Sequence, residues 1–444
     1  MTSDLAARIA ALSPGQRARL RDRLPGARPP QGEPTPGQRR LLRTHRAVRG
    51  RPVDVVCQAV HLTGGSPDLG LLADRVAGFA RAHEALRTTF PAADDGERPV
   101  VHPELPPRIE RTRCADTAEA HRLARELAAE PFDLASGPLL RVTLAEGPAA
   151  GEAWLLVAVH NLVFDAWSFE LLLDELARPD GVEPAPPVPF SRFAHDQRRW
   201  LESAEGRAAA TYWSREVADA PEPLPTDRPR GAGTTRTGAR VDFALPREVA
   251  DGIAAAAQRA AATAYTGWLA VAWATVAEFG GSDDVLLGTF TSGRNRGDTA
   301  NVVGYLLNVL PVRLRDPGDG THRARTRAAQ RATRQGLKHA AHPGELIGDR
   351  RRVAGTHPLL DLVFVFDNLG QDQRRIQGAE ATTLDLDKGT ARFDLTLAVY
   401  PGADGATGWL EYDTGLYDEA TVRRLAERFE AFARAAAAQE REGR

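Results

Sequence analysis

The chain has 444 residues, more than one hydrophobic core usually spans, so two lobes are expected, each with a core of its own. Apolar residues make up 42% and charged residues 26%, an ordinary globular composition, and the net charge of -2 argues against nucleic acid as the main partner. Cys57 and Cys114 are too few and too far apart to brace a secreted fold or complete a metal site; with no signal peptide and no run of about 18 apolar residues, a soluble cytoplasmic protein without a membrane partner is expected.

In chain order, residues 4–24 alternate apolar and charged positions at helical spacing, with Ser13-Pro14 as a break and restart, and Gly26 to Gly37 is a Pro/Gly-rich linker. Residues 1–34 therefore read as a helical appendage, either a connector or a docking element. A first lobe is expected over 35–219. Gln38 to Arg46 reads as helix, 53–62 as a strand, 68–88 as a long helix, 97–114 as strand-like, 116–130 as helix, and 138–145 with 153–160 as two paired strands. After a Pro-rich turn at 179–189, residues 191–217 read as helix. A linker is expected at 220–238 and a second lobe over 239–444, with a long helix at 247–279, a strand at 285–290, a helix at 321–340, strands near 359–367, 392–400 and 407–412, and a last helix at 418–438.

One stretch organises the rest. Trp154 to Val159 is a short apolar run of the kind that forms a buried strand, it ends on polar residues, and Phe169 to Leu176 returns leucines at helical spacing. Strand, loop and helix in that order lift the loop side chains out at the strand's carboxyl end, near the positive pole of the next helix, where developing negative charge is favoured. Taken alone, His160, Asp165 and Ser168 admit two meanings: a satisfied core histidine followed by an ordinary helix cap, or a reaction site.

The surrounding motifs decide between them. Thr35 to Leu42, Arg81 to Phe90, His160 to Ser168, Phe190 to Ala194, Val303 to Arg313, His342 to Glu345 and His357 to Leu359 resemble, in the right order, the seven motifs of nonribosomal peptide synthetase condensation domains. Those domains lie within the wider chloramphenicol acetyltransferase-like acyltransferases. The resemblance implies an α/β fold of α+β two-layer sandwiches, with two lobes in a V and a tunnel between them. It implies no cofactor of the chain's own, but substrates held as thioesters on the 4′-phosphopantetheine of carrier proteins acting in trans, and a small-molecule or carrier-bound amine as acceptor. On the family's His-His-x-x-x-Asp-Gly pattern, Asn161 stands where the second histidine acts, His160 and Asp165 hold the loop, and Ala166 replaces the glycine. Trp167, Ser168, Arg87, Arg294 and Asn308 are expected in support, with Arg294 paired to Asp165. His342 and His357 fall in motifs of the far lobe's framework and are not expected to act as bases.

The departure at Asn161 bears on mechanism, because an amide can donate and accept hydrogen bonds but takes no proton near neutral pH. In an extended segment neighbouring side chains face opposite ways, so an Asn161 open to the tunnel puts His160 toward the lobe interior. Three functions are compatible with this: amide-forming condensation, a degenerate module that recruits a tailoring enzyme or carrier protein, and variant chemistry such as ester formation, dehydration or cyclisation. Cyclisation is disfavoured, since relatives of that kind carry Asp in place of the first histidine.

Overall fold

The computed structural model describes residues 32–48, 51–93, 96–179, 181–184, 186–231, 236–294, 298–315, 318, 320–347, 359–366 and 374–442. The helices expected over 4–24, and His357, lie outside the described residues.

The first half builds a helix α1 (Pro36–Ala47), strand β1 (Val55–Thr63), helix α2 (Leu69–Ala82), strand β2 (Arg108–Arg113), helix α3 (Thr117–Ala129), strands β3 (Leu140–Glu146) and β4 (Ala153–His160), and helices α4 (Ala166–Ala177), α5 (Phe190–Leu201) and α6 (Ala204–Val217). The second half follows with β5 (Gly238–Pro246), α7 (Arg247–Arg259), α8 (Ala264–Gly280), β6 (Asp284–Thr291), β7 (Asn308–Arg315), α9 (His322–Leu337), β8 (Leu362–Phe366), β9 (Arg374–Ile376), β10 (Ala379–Leu384), β11 (Leu395–Gly402), β12 (Gly405–Asp413) and α10 (Glu419–Glu442).

Two six-stranded mixed sheets result, in the orders β9-β10-β1-β4-β3-β2 and β7-β6-β8-β11-β12-β5. β4 lies inside the first sheet between β1 and β3, with every residue buried, which is why its sequence is an unbroken apolar run rather than an alternation. The pairing of 138–145 with 153–160 is antiparallel. In the second half α8 is apolar all round and is the buried helix of that core.

Of three differences from the expected elements, two have local causes. The long helix over 247–279 is two helices: Ala261 turns left-handed at φ 54° and the Thr263 side chain caps the next helix by accepting the Thr266 N–H. The helix over 191–217 likewise restarts at Ser203, whose Oγ accepts from Gly206 N at 3.1 Å. The third concerns the boundary between lobes. β9 and β10 follow the expected linker at 220–238 by more than a hundred residues in sequence, yet β10 pairs with β1 in the first sheet. The second half thus reaches across the junction, and the first core also takes in Val302, Val303, Tyr305 and Leu306. No helix among the described residues is long and apolar enough to cross a membrane.

Candidate active-site loop

β4 delivers the chain to His160, a short 3-10 turn covers Asn161–Val163, and Asp165 caps α4 by accepting the Ser168 N–H at 2.9 Å. The turn is held from outside by Gln38, whose Nε2 donates to Leu162 O at 2.9 Å; Gln38 itself is placed by a reciprocal cap with Thr35 at the start of α1.

Asp165 is the anchor of the loop. Its Oδ2 accepts from Arg294 Nη1 at 2.8 Å and from Leu306 N at 3.0 Å, while Oδ1 accepts from Arg294 Nη2 at 3.0 Å and Ser168 Oγ at 2.8 Å. The two side chains are 1% and 2% exposed, and Arg294 spends further donors on Val302 O and Ser292 O. A two-pronged pair in a dry site, with the carboxylate's other lone pairs accepting hydrogen bonds and only Arg294 Nε left without a partner among the described residues, is close to the geometry in which a buried ion pair holds rather than strains a structure. It ties the loop after β4 to the segment after β6. Ser168 Oγ also accepts from Gly304 N at 3.1 Å, and Trp167, 41% exposed, donates from Nε1 to Ala300 O at 2.9 Å. Ala166 is the exposed first residue of α4.

His160 is 3% exposed, and its Nδ1 accepts from Leu162 N at 3.2 Å. Its ring meets His45 edge-on at 5.5 Å and Phe132 at 6.1 Å. Burial pushes its pKa down to about 3, outweighing the attraction of Asp54, so it is neutral near pH 7 and a poor proton acceptor. Asn161 is 6% exposed, and among the described residues its Oδ1 is buried with no hydrogen-bond partner.

The remaining expected residues lie away from the loop. Arg87 donates to the carbonyls of Arg81, His102 and Pro103, fastening the chain behind α2. Asn308 starts β7, donates to Ala340 O and His342 O and accepts from Gly344 N, so it secures the 340–344 segment. His342 is buried beside it, and that burial lowers its pKa.

Two clefts flank α5 on opposite faces. One, of about 860 Å³, is lined by Phe193, Gln197, Trp200, Tyr305, Leu307 and Asn308 among others; the other, of about 830 Å³, by Gln38, Thr88, Val101, Val163, Phe190 and Ala194. Among the described residues Asn161 lines neither. Residue 161 begins a 3-10 turn rather than continuing the strand, so strand alternation does not set where its side chain points relative to His160. No role was expected for Gln38 or for the polar chain Arg40–Tyr305–Arg392–Asp54. There the Tyr305 hydroxyl accepts from Arg40 Nη2 at 3.1 Å and Arg392 Nη2 at 2.8 Å, and Arg392 Nε lies 3.3 Å from Asp54 Oδ1. Gln38 stands inside the motif at 35–42, but partners some 265 residues apart leave no spacing signal.

Two sheets clasped by a buried ion pair at the loop after β4 define a two-lobed chloramphenicol acetyltransferase-like fold. Residues 34–442 match the family model "Condensation domain", and the chain belongs to that family. It is 33% identical to phosphinothricin tripeptide synthetase PhsC of Streptomyces viridochromogenes over 98% of this chain and 43% of that protein, and 29% identical to malpinin synthetase of Mortierella alpina over 77% of this chain and 5% of that one. The chain thus spans less than half the length of these curated relatives. Its fold is that of the condensation domain from Monacolin K polyketide synthase MokA, at TM-score 0.82 with 21% identity, covering 91% of this chain and 96% of that one. It is also that of the X-domain in complex with OxyB from teicoplanin biosynthesis, at TM-score 0.80 with 23% identity, covering 92% and 94%.

Proposed function

We propose that this chain is an amide-forming condensation enzyme of the nonribosomal peptide synthetase type: it transfers an acyl or peptidyl group from a carrier-protein thioester to an amine, with the carriers supplied in trans. The observation that carries this reading is the Asn161 Oδ1, among the described residues a buried acceptor without a donor, at the position where the family's second histidine acts. An unmet buried acceptor costs about 1–3 kcal/mol, and an incoming amine N–H meets it.

In this reading Asn161 orients the nucleophile and removes no proton. His160, neutral and turned into the lobe, keeps the turn in shape, and Asp165 with Arg294 holds the loop against the second half. Base assistance is worth roughly 10² to 10⁴ in rate, whereas alignment of two reactants contributes on the order of 7–11 kcal/mol, so alignment outweighs the missing base. A thioester is already activated and an amine is partly neutral unaided; an alcohol nucleophile would lose more, which disfavours ester formation. The 4′-phosphopantetheine arm belongs to the carriers. Gln197 Oε1, buried on the first cleft without a partner among the described residues, is an acceptor suited to an amide N–H of such an arm.

The burial of Asn161, outside both clefts, favours a second reading, a platform that recruits a carrier or tailoring enzyme without chemistry, as the X-domain with OxyB joins two proteins. Intact-protein mass spectrometry of a donor-loaded carrier, with amine acceptor and with or without this chain, separates the two. Condensation predicts loss of the donor mass faster than background aminolysis; saturable carrier binding with a background rate supports the platform instead.

A further inference from the structure

We propose that the outer face of α9 is a docking surface for a protein that presents an acidic helix. Arg323, Arg327, Arg331, Arg334 and Lys338 are all exposed. At 100° per residue they fall within an arc of about 80° and form one stripe about 22 Å long. Among the described residues the four arginines have no hydrogen-bond or ion-pair partner, and Lys338 Nζ donates only to the neutral Gln335 Oε1 at 3.1 Å.

On two other helices exposed arginines sit beside acids. On α3, Arg122 lies between Glu119 and Glu126; on α10, Arg423 pairs with Glu419 and Arg434 with Glu430. From His322 to Lys338 there is no acidic residue at all. Like charges four apart repel, and the first turn of α9 holds no acid while carrying arginines at the positive pole of the helix. Arg334 in the last turn suits the negative pole, but the N-terminal part of the stripe has no acidic partner among the described residues to offset its repulsion.

The spacing points to the occupant. Cations one helical turn apart, about 6 Å, match carboxylates repeating at i and i+4 on a facing helix, and guanidinium meets carboxylate through two parallel hydrogen bonds. At the carboxyl end of the stripe Leu337 is 51% exposed, an apolar anchor that a protein partner uses and a phosphate backbone does not. The surface is independent of transfer chemistry, so the reading of Asn161 can fail without affecting it.

The test uses the full chain and a fluorescent synthetic helical peptide of about 18 residues, with Glu at i, i+4 spacing and one Leu, followed by anisotropy. The expected result is saturable binding that weakens about tenfold between low and physiological salt and falls at least about 30-fold in Arg327→Glu/Arg331→Glu. The thermal midpoint of that variant is unchanged or higher, which separates lost docking from lost folding. No binding, equal binding of a peptide with Gln in place of Glu, or tighter binding of duplex DNA or phosphatidylglycerol vesicles at the same salt would overturn the proposal.

Discussion

At the residue scale, the loop is built from groups whose charge states are fixed by burial. His160 has an ordinary pKa of 6.5 and a folded value of about 3. As pH falls below 6.5 the unfolded chain takes up a proton that the folded chain refuses until about 3, so stability is lost on acidification through that window, at up to about 1.4 kcal/mol per pH unit. His83, half-buried and lowered by that burial to about 4, adds to the same trend. Denaturant unfolding between about pH 7 and pH 5 is expected to show a shallower pH slope in His160→Gln than in the wild type; equal slopes would show that His160 is not held neutral. Asp165 and Arg294 make the opposite case, two charges that depend on each other. Arg294→Met strands a carboxylate in a dry site and is expected to cost about 3–5 kcal/mol, and adding Asp165→Asn should recover part of that loss. A double variant no more stable than the single one would contradict the pairing. Arg294 was legible in sequence only as a candidate partner for Asp165, itself placed by the motif at 160–168. Its partner is 129 residues away, and no spacing rule links them.

Among elements, the contact between α5 and the segment before β7 sets how the halves meet. Gly304 sits at φ 151°, and a Cβ there would fall 2.1 Å from Phe190 Cδ2 at the start of α5. Gly304→Ala is therefore expected to destabilise by about 1–3 kcal/mol or more, read as a lower denaturant midpoint at unchanged slope; a wild-type midpoint would mean that α5 yields freely. The same scale shows what periodicity reveals and what it hides. β4 and the helix after it were plain because burial on both faces makes one continuously apolar and amphipathy gives the other its period. The division between α7 and α8 was hidden because good helix formers run through 254–262, and the break rests on one capping threonine. β9 and β10 were missed for a different reason: they form one edge of the first sheet, carry Arg374, Arg375 and Glu380, and offer no apolar run to find.

For the whole molecule, ordered motifs disclosed the family and its two-lobed fold, since seven short patterns in sequence order constrain a chain far more than any one of them. They did not disclose the orientation of Asn161, which depends on a 3-10 turn held by Gln38 from α1, 124 residues away. The central claim is that geometry rather than proton removal drives transfer past this asparagine. Its most direct test compares rates of amide formation from one donor-loaded carrier and one amine for the wild type and Asn161→Ala. A wild-type rate well above uncatalysed aminolysis and a drop of roughly 10²-fold in the variant are predicted; a wild type no faster than background, or a variant as fast as the wild type, would contradict it.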